Sequence, residues 1–174
     1  PMNWICSFLD PYTIISNSDA HSPEKLGREA NIFDCDLSYK AITEAMKKDN
    51  NQRFLGTVEF FPQEGKYHYD GHRKCGVVWN PLETIKHNAV CPVCEKKVTV
   101  GVMNRVAQLA DRDYLQEHAT RHQFHSLIPL KELLSEIHSV GQNSQKVRQA
   151  YNTLLSKCGS EFNILLNLPI EDLR

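Results

Sequence analysis

His72-Arg73-Lys74-Cys75 and, after a gap of fifteen residues, Cys91-Pro92-Val93-Cys94 form the stretch that decides how the middle of this chain folds. From Gln63 to about Val102 the composition shifts to Gly, His, Cys, Lys and Tyr, with little apolar periodicity, so something other than burial must hold it. Zinc takes soft or borderline ligands at tetrahedral corners, and two ligands separated by two residues let one tight turn fill two corners. The spacing therefore predicts a structural zinc ion held by His72, Cys75, Cys91 and Cys94 in a small zinc-ribbon-like module. A redox C-x2-C is the alternative, but it wants a thioredoxin-like βαβ context and leaves Cys75 unexplained. His68 competes with His72 for the fourth position. His118-x3-His122 can complete a set with Cys91 and Cys94, although its gap of twenty-three residues exceeds the usual finger spacing and strands Cys75. Otherwise His118, His122 and His125 read as a solvated face. Four protein ligands leave no open position for water, so this ion folds and presents the module rather than catalysing.

Outward from the module, the N-terminal side reads as alternating elements. Tyr12 to Ile15 is a short β-branched run expected to be a strand, followed by a polar loop and a helix with Ser22 as N-cap and Pro23 at its first position. Ser38 is placed to cap a helix through about Lys48 with Ile42, Ala45 and Met46 on its apolar side, and Phe54 to Phe61 reads as a strand. On the C-terminal side the pattern turns helical, first with Val102, Val106 and Leu109, then with Leu130, Leu133, Leu134 and Ile137, then with Val147, Tyr151, Leu154 and Leu155 before Gly159. The expected class is α+β, divided near residues 62 and 110 into units of 1–62, 63–110 and 111–174, the last of them helical.

The chain has 174 residues and a net charge of -1, so no global basic field announces a nucleic-acid partner. Locally, Lys66, Arg73, Lys74, Lys86, Lys96, Lys97 and Arg105 outnumber Asp70, Glu83 and Glu95 by four. Tyr67, Tyr69 and Trp79 lie among these charges. Cations with interleaved aromatics suit single-stranded or distorted nucleic acid, which makes Lys66, Tyr67, Tyr69, Arg73, Lys74, Trp79, Lys96 and Lys97 candidate DNA contacts. A solvated basic surface with core aromatics has the same composition. No apolar run approaches the length of a membrane span, and the expected setting is the cytoplasm, where Cys6, Cys35 and Cys158 stay as small apolar residues.

Asp19-Ala20-His21 follows the expected strand at the place where α/β barrels display reactive groups. A carboxylate and an imidazole two residues apart can reach toward a metal ion, although an N-cap beside a surface histidine gives the same word. The longer words around it are more specific. Ser16-Asn17-Ser18-Asp19-Ala20-His21-Ser22-Pro23, with Leu26-Gly27-Arg28-Glu29-Ala30, resembles the last metal-binding motif of the polymerase-and-histidinol-phosphatase (PHP) class of phosphoesterases. Gly56-Thr57-Val58-Glu59-Phe60-Phe61-Pro62, the run Glu64 to Gly76, the Cys91–Cys94 knuckle and Thr99-Val100-Gly101-Val102 resemble the endonuclease Q family. Leu127-Ile128-Pro129-Leu130 and Glu161-Phe162-Asn163-Ile164-Leu165-Leu166 resemble that family's C-terminal part.

The resemblance implies a DNA repair endonuclease that nicks 5′ of a deaminated base or an abasic site. Asp19 and His21 would be two ligands of its divalent metal cluster, and residues 1–62 the C-terminal remnant of an α/β PHP barrel. The family's earlier metal-binding motifs have no counterpart here, so the expectation is a C-terminal part that binds zinc and DNA without cutting, with residues 1 to about 30 poorly supported. Two other readings remain. One is a non-catalytic zinc-stabilised module that binds nucleic acid or protein; the other is a PHP phosphatase acting on a small phosphorylated metabolite.

Overall fold

The computed structural model describes residues 2–47, 52–113 and 122–173. Its architecture is mixed α+β, and among the described residues the sheets do not close into a barrel. The first sheet has the order β1-β2-β5: β1 (Ala30–Phe33) runs antiparallel to β2 (Phe54–Glu59), and β5 (Gln123–Ser126) runs parallel to β2 on its other side. Phe54 and Val58 are buried here, and Phe33 and His122 pack against the Phe54 ring at 5.2 and 4.7 Å.

Gln123–Ser126, a short and mostly polar Gln-Phe-His-Ser run for which the sequence offers no strand signal of its own, forms β5. The register is written instead into β2. Gly56 has φ +148°, and a Cβ there would lie 2.1 Å from the Gln123 carbonyl oxygen, so only glycine lets β5 approach. The histidines fall differently from expectation too. His125 pairs with Val58 in the sheet and is half-buried, and His122 lies edge-on against Phe54, so neither belongs to a solvated face; His118 lies outside the described residues.

Tyr12 to Ile15 is not a strand. The side-chain amide of Asn31 on β1 takes the place of a partner strand, accepting from the Ser16 N–H (2.9 Å) and donating to the Ser16 carbonyl (2.8 Å) and the Asn17 side chain (3.2 Å). Thr13 Oγ1 donates to the Met46 carbonyl at 2.7 Å. The expected helix after Ser22 shrinks to one 3₁₀ turn, Pro23–Lys25, without a side-chain cap bond. Gly27, at φ +78°, then reverses the chain against the Phe162 ring and ends any helix. Ahead of this loop, residues 2–10 form two 3₁₀ turns clasped to residues 111 and 112. Arg112 donates to both carboxylate oxygens of Asp10 (2.5 and 2.6 Å) and to the Trp4 carbonyl, and the Asp111 N–H donates to the Ile5 carbonyl.

The other predicted helices form, the first of them shorter than expected. α1 (Tyr39–Ala45) is capped by Ser38 Oγ, which accepts from Ala41 N, and buries Ala45; Lys48 lies outside the described residues. The main apolar core is C-terminal, where α4 (Leu130–His138) packs on α5 (Gln145–Cys158). Leu130, Leu134, Val147 and Ile164 are buried together, with Tyr151, Leu154, Leu155 and Cys158 packed around them. Ile137, expected on the inner face, is 72% exposed, because Ser139 turns left-handed (φ 52°) and ends α4 before its last turn can pack. Truncating Leu134 to Ala removes buried methyl groups from this core, and urea unfolding followed by circular dichroism should show a loss of about 2–5 kcal/mol.

Candidate metal centre and nucleic-acid face

Between residues 63 and 101 the apolar side chains that reach burial are Cys91 and Val98, with His68, Asp70 and Thr84 as buried polar groups. A core this small does not fix a fold by itself. The scaffold is two short antiparallel strands, β3 (Asp70–His72) and β4 (Val77–Trp79), followed by α2 (Pro81–Lys86), which Asn80 caps through a 3.0 Å bond from Glu83 N. Gly71 serves two neighbours. It pairs with Val78 on one side and exchanges both backbone hydrogen bonds with Thr99 on the other, and a Cβ there would lie 2.2 Å from the Val77 carbonyl oxygen.

This scaffold aims two tight turns at one point. The first runs from His72 through a 3₁₀ turn, Arg73–Cys75, and stops at left-handed Gly76 (φ 68°). In the second, the Glu95 N–H donates to the Cys91 carbonyl (2.9 Å), Glu95 is left-handed (φ 58°), and the Cys91 N–H donates to the Lys96 carbonyl (2.8 Å). One donor atom from each of His72, Cys75, Cys91 and Cys94 lies within 4.8 Å of all the others, and Cys94 Sγ is 3.2 Å from His72 Nδ1. Tetrahedral corners around zinc, with metal–ligand distances of about 2.0–2.3 Å, lie a little under about 4 Å apart, so modest contraction would enclose an ion. His68 is not in the set: its ring is buried and meets the Tyr69 ring edge-on at 4.5 Å.

The thiols are prepared unequally. Burial opposes ionisation of Cys91, yet the N–H groups of Val93 and Cys94 aimed at its sulfur, with help from His72 and Cys94, bring it down to about 6. Burial, and then the neighbouring Cys94 and Cys91, push Cys75 up to about 11. Cys91 thus offers a thiolate near neutral pH, and a bound cation would draw the proton from Cys75. The cluster can hold a metal ion such as zinc, with all four donors from protein.

A second link ties the module to α3 (Val102–Leu109). The carboxylate of Asp70, only 1% exposed, accepts from the Gly101 N–H (2.5 Å) and from Asn104 Nδ2 (2.7 Å), while the first helical N–H groups, of Val102 and Met103, donate to the Tyr67 and His68 carbonyls (2.8 and 3.0 Å). A Cβ at Gly101 would lie 2.4 Å from the Tyr69 carbonyl oxygen, so glycine is what admits the contact. This explains a departure from the expected apolar stripe. Asn104 is the residue α3 buries, whereas Val102 and Leu109 stay exposed.

Asp19 and His21 lie on the exposed loop that Asn31 secures. Asp19 is left-handed (φ 50°), and His21 Nδ1 is 2.7 Å from the Asp19 carbonyl oxygen. A carbonyl only accepts, so Nδ1 carries the proton and Nε2 keeps its lone pair free for a cation. No third donor joins them among the described residues, where the cysteine–histidine set is the one group of three or more such side chains.

The candidate DNA contacts are spread over the module surface. Lys66, Arg73, Lys74, Lys96 and Lys97 are exposed. Tyr67 is exposed with the Lys66 ammonium 5.0 Å from its ring centre, and Tyr69 is 40% exposed. Trp79 is half-buried and already stacked on His87 at 4.6 Å and 12°, so one face of its ring is taken.

Comparison with known proteins extends over nearly the whole chain. Residues 129–174 match the family described as the MJ0043 C-terminal domain. Protein MJ0043 of Methanocaldococcus jannaschii is 30% identical over 91% of this chain and 21% of its own length, and protein YqxK of Bacillus subtilis 28% identical over 96% and 39%. The chain therefore spans about a fifth to two fifths of these relatives. The crystal structure of the lesion-specific endonuclease PfuEndoQ from Pyrococcus furiosus superposes with a TM-score of 0.89 at 29% identity, over 99% of this chain and 43% of that one. A structure of endonuclease Q in complex with a 27-mer duplex carrying an abasic lesion at the active site gives 0.83 at 28% identity, over 99% and 44%.

Replacing Asp70 by Ala leaves the Gly101 N–H and the Asn104 amide buried without an acceptor. The expected cost is about 1–3 kcal/mol, with amide exchange accelerated first at residues 101–105.

Proposed function

We propose, on the premise that this is an endonuclease Q-like chain, that it serves a cytoplasmic PHP-type DNA repair endonuclease that breaks the phosphodiester 5′ of a deaminated base or abasic site. The observation that carries this reading is the superposition over 99% of the chain on the lesion-specific endonuclease, together with its relative held on an abasic duplex. Zinc is the ion proposed for His72, Cys75, Cys91 and Cys94. Its part is to fold the module of residues 63–110 so that Lys66, Tyr67, Tyr69, Arg73, Lys74, Trp79, Lys96 and Lys97 face DNA.

Asp19 and His21 are proposed as ligands of the catalytic divalent cations, which supply a hydroxide nucleophile and neutralise the phosphate oxygens when bound. What the chain itself contributes there is orientation. The Asp19 carbonyl fixes the imidazole proton on Nδ1, and Asn31 holds the loop at Ser16 and Asn17. Two donors do not position nucleophile and phosphate together, so this chain is expected to bind DNA without cutting it.

A second reading, a non-catalytic zinc-stabilised module for nucleic acid or protein, is favoured by the closed donor set, since four protein ligands leave no position for a reacting water.

Metal analysis of the purified chain should find about one zinc per chain, lost in Cys91→Ser. Chelation should abolish amide protection across residues 63–101 and spare the α4–α5 core. Fluorescence anisotropy with matched and abasic duplexes at several salt concentrations, run beside a nicking assay with added divalent metal, tests the function. Salt-dependent binding without nicking supports the reading. Nicking by this chain alone contradicts the assignment of an incomplete catalytic site, and absence of DNA binding leaves the protein-interaction reading in its place.

A further inference from the structure

The two knuckles share one backbone plan and differ in what they present. Each has two residues between its ligands and ends on a left-handed residue, Gly76 (φ 68°) or Glu95 (φ 58°). Between the ligands of the first stand Arg73 and Lys74, and between those of the second Pro92 and Val93, all four exposed. Because the four donors lie within 4.8 Å of one another, both turns are anchored at one point. Lys96 and Lys97 continue the second knuckle and are exposed as well, so the apolar pair and four exposed cations stand on or next to the two turns that deliver the donors, with Glu95 the acid beside them.

Val93 is 67% exposed, yet its backbone is held in place. Its N–H points at the Cys91 sulfur, the Glu95 N–H donates to the Cys91 carbonyl (2.9 Å), and the Cys91 N–H donates to the Lys96 carbonyl (2.8 Å). A rigid, exposed apolar tip with cations on and beside the same pair of turns is the physical complement of a surface that alternates phosphate and stacked ring. Cations meet the phosphates, and apolar side chains press between base steps and part the stack.

We infer that the Pro92–Val93 tip is a wedge that enters the base stack of a distorted duplex while Arg73, Lys74, Lys96 and Lys97 hold the flanking phosphates. This rests on the DNA-directed function proposed above and adds to it a mode of contact. The tip works best where stacking is already weakened by a missing or mispaired base, so it favours a lesion without reading sequence. Arg73 and Lys74 set affinity and salt dependence, and Val93 sets distortion.

The test uses the whole zinc-loaded chain with a duplex carrying one abasic site flanked by 2-aminopurine, and a matched duplex as reference. Anisotropy of an end-label reports binding, and 2-aminopurine emission reports unstacking. The wild-type chain should raise emission on the abasic duplex about twofold or more, and far less on the matched one. Val93→Ala should bind within about twofold of wild type while losing most of that rise, and the pair Arg73→Ala with Lys74→Ala should lower the salt slope by about two. If Val93→Ala loses zinc, Val93→Ile serves instead, and its emission should equal or exceed that of wild type. The wedge is overturned if the wild-type chain binds without raising emission, if zinc-loaded Val93→Ala unstacks as wild type does, or if zinc-loaded Val93→Ile unstacks less. If the chain binds neither duplex, the DNA-directed function itself falls.

Discussion

The convergence of His72, Cys75, Cys91 and Cys94 on one point is the constraint from which the middle of the chain takes its shape. Without it, residues 63–101 have two buried apolar side chains and short strands to set against the entropy of ordering the backbone. Each turn that delivers a donor is already specified locally. Gly76 and Glu95 adopt the left-handed conformation that ends each knuckle, and Gly71 lets three backbone segments meet. The peptide N–H groups aimed at Cys91 lower its thiol before any cation arrives, so folding and ligand ionisation favour each other.

Elsewhere polar side chains do joining work that apolar packing does not. Asp70 carries the module onto α3 through a buried carboxylate. Arg112 carries the first ten residues back to a point about a hundred residues away in sequence, with Asp10 as its bidentate partner. Asn31 substitutes an amide side chain for a strand and so sets the loop of Asp19 and His21 beside the sheet. Each is a directional contact between segments that share little apolar area, so each fixes relative placement more than it adds burial.

What could be read from the sequence was whatever has a short repeat or a fixed spacing. The C-x2-C and H-x2-C words picked out the donors, the 3.6-residue periods of Leu130–Leu134 and Val147–Leu155 found the helical core, and Ser38 marked a helix start. The endonuclease Q likeness of residues 12 to 112 was also visible as words, and the superposition agrees with it. What could not be read depends on distant partners. Gln123–Ser126 is a strand because Gly56 makes room for it, the chain leaving Tyr12–Ile15 is held at Ser16 by the Asn31 side chain rather than by a partner strand, and Asn104 is buried because Asp70 needs a donor. None of these leaves a mark within its own window of residues.

The parallel pairing of β2 with β5 places the entire cysteine–histidine module inside the connection between two adjacent strands, residues 60–122. Bringing those strands together costs chain entropy that grows with the logarithm of the free length between them. Once residues 63–101 are ordered they no longer count as free chain, and the closure penalty falls by about 0.9 kcal/mol. An ion held by the cluster would therefore be linked to the sheet without touching it. A metal bound in one part of the molecule would shorten the loop that another part must close, a coupling that favours ordering the small polar module ahead of the strand pairing.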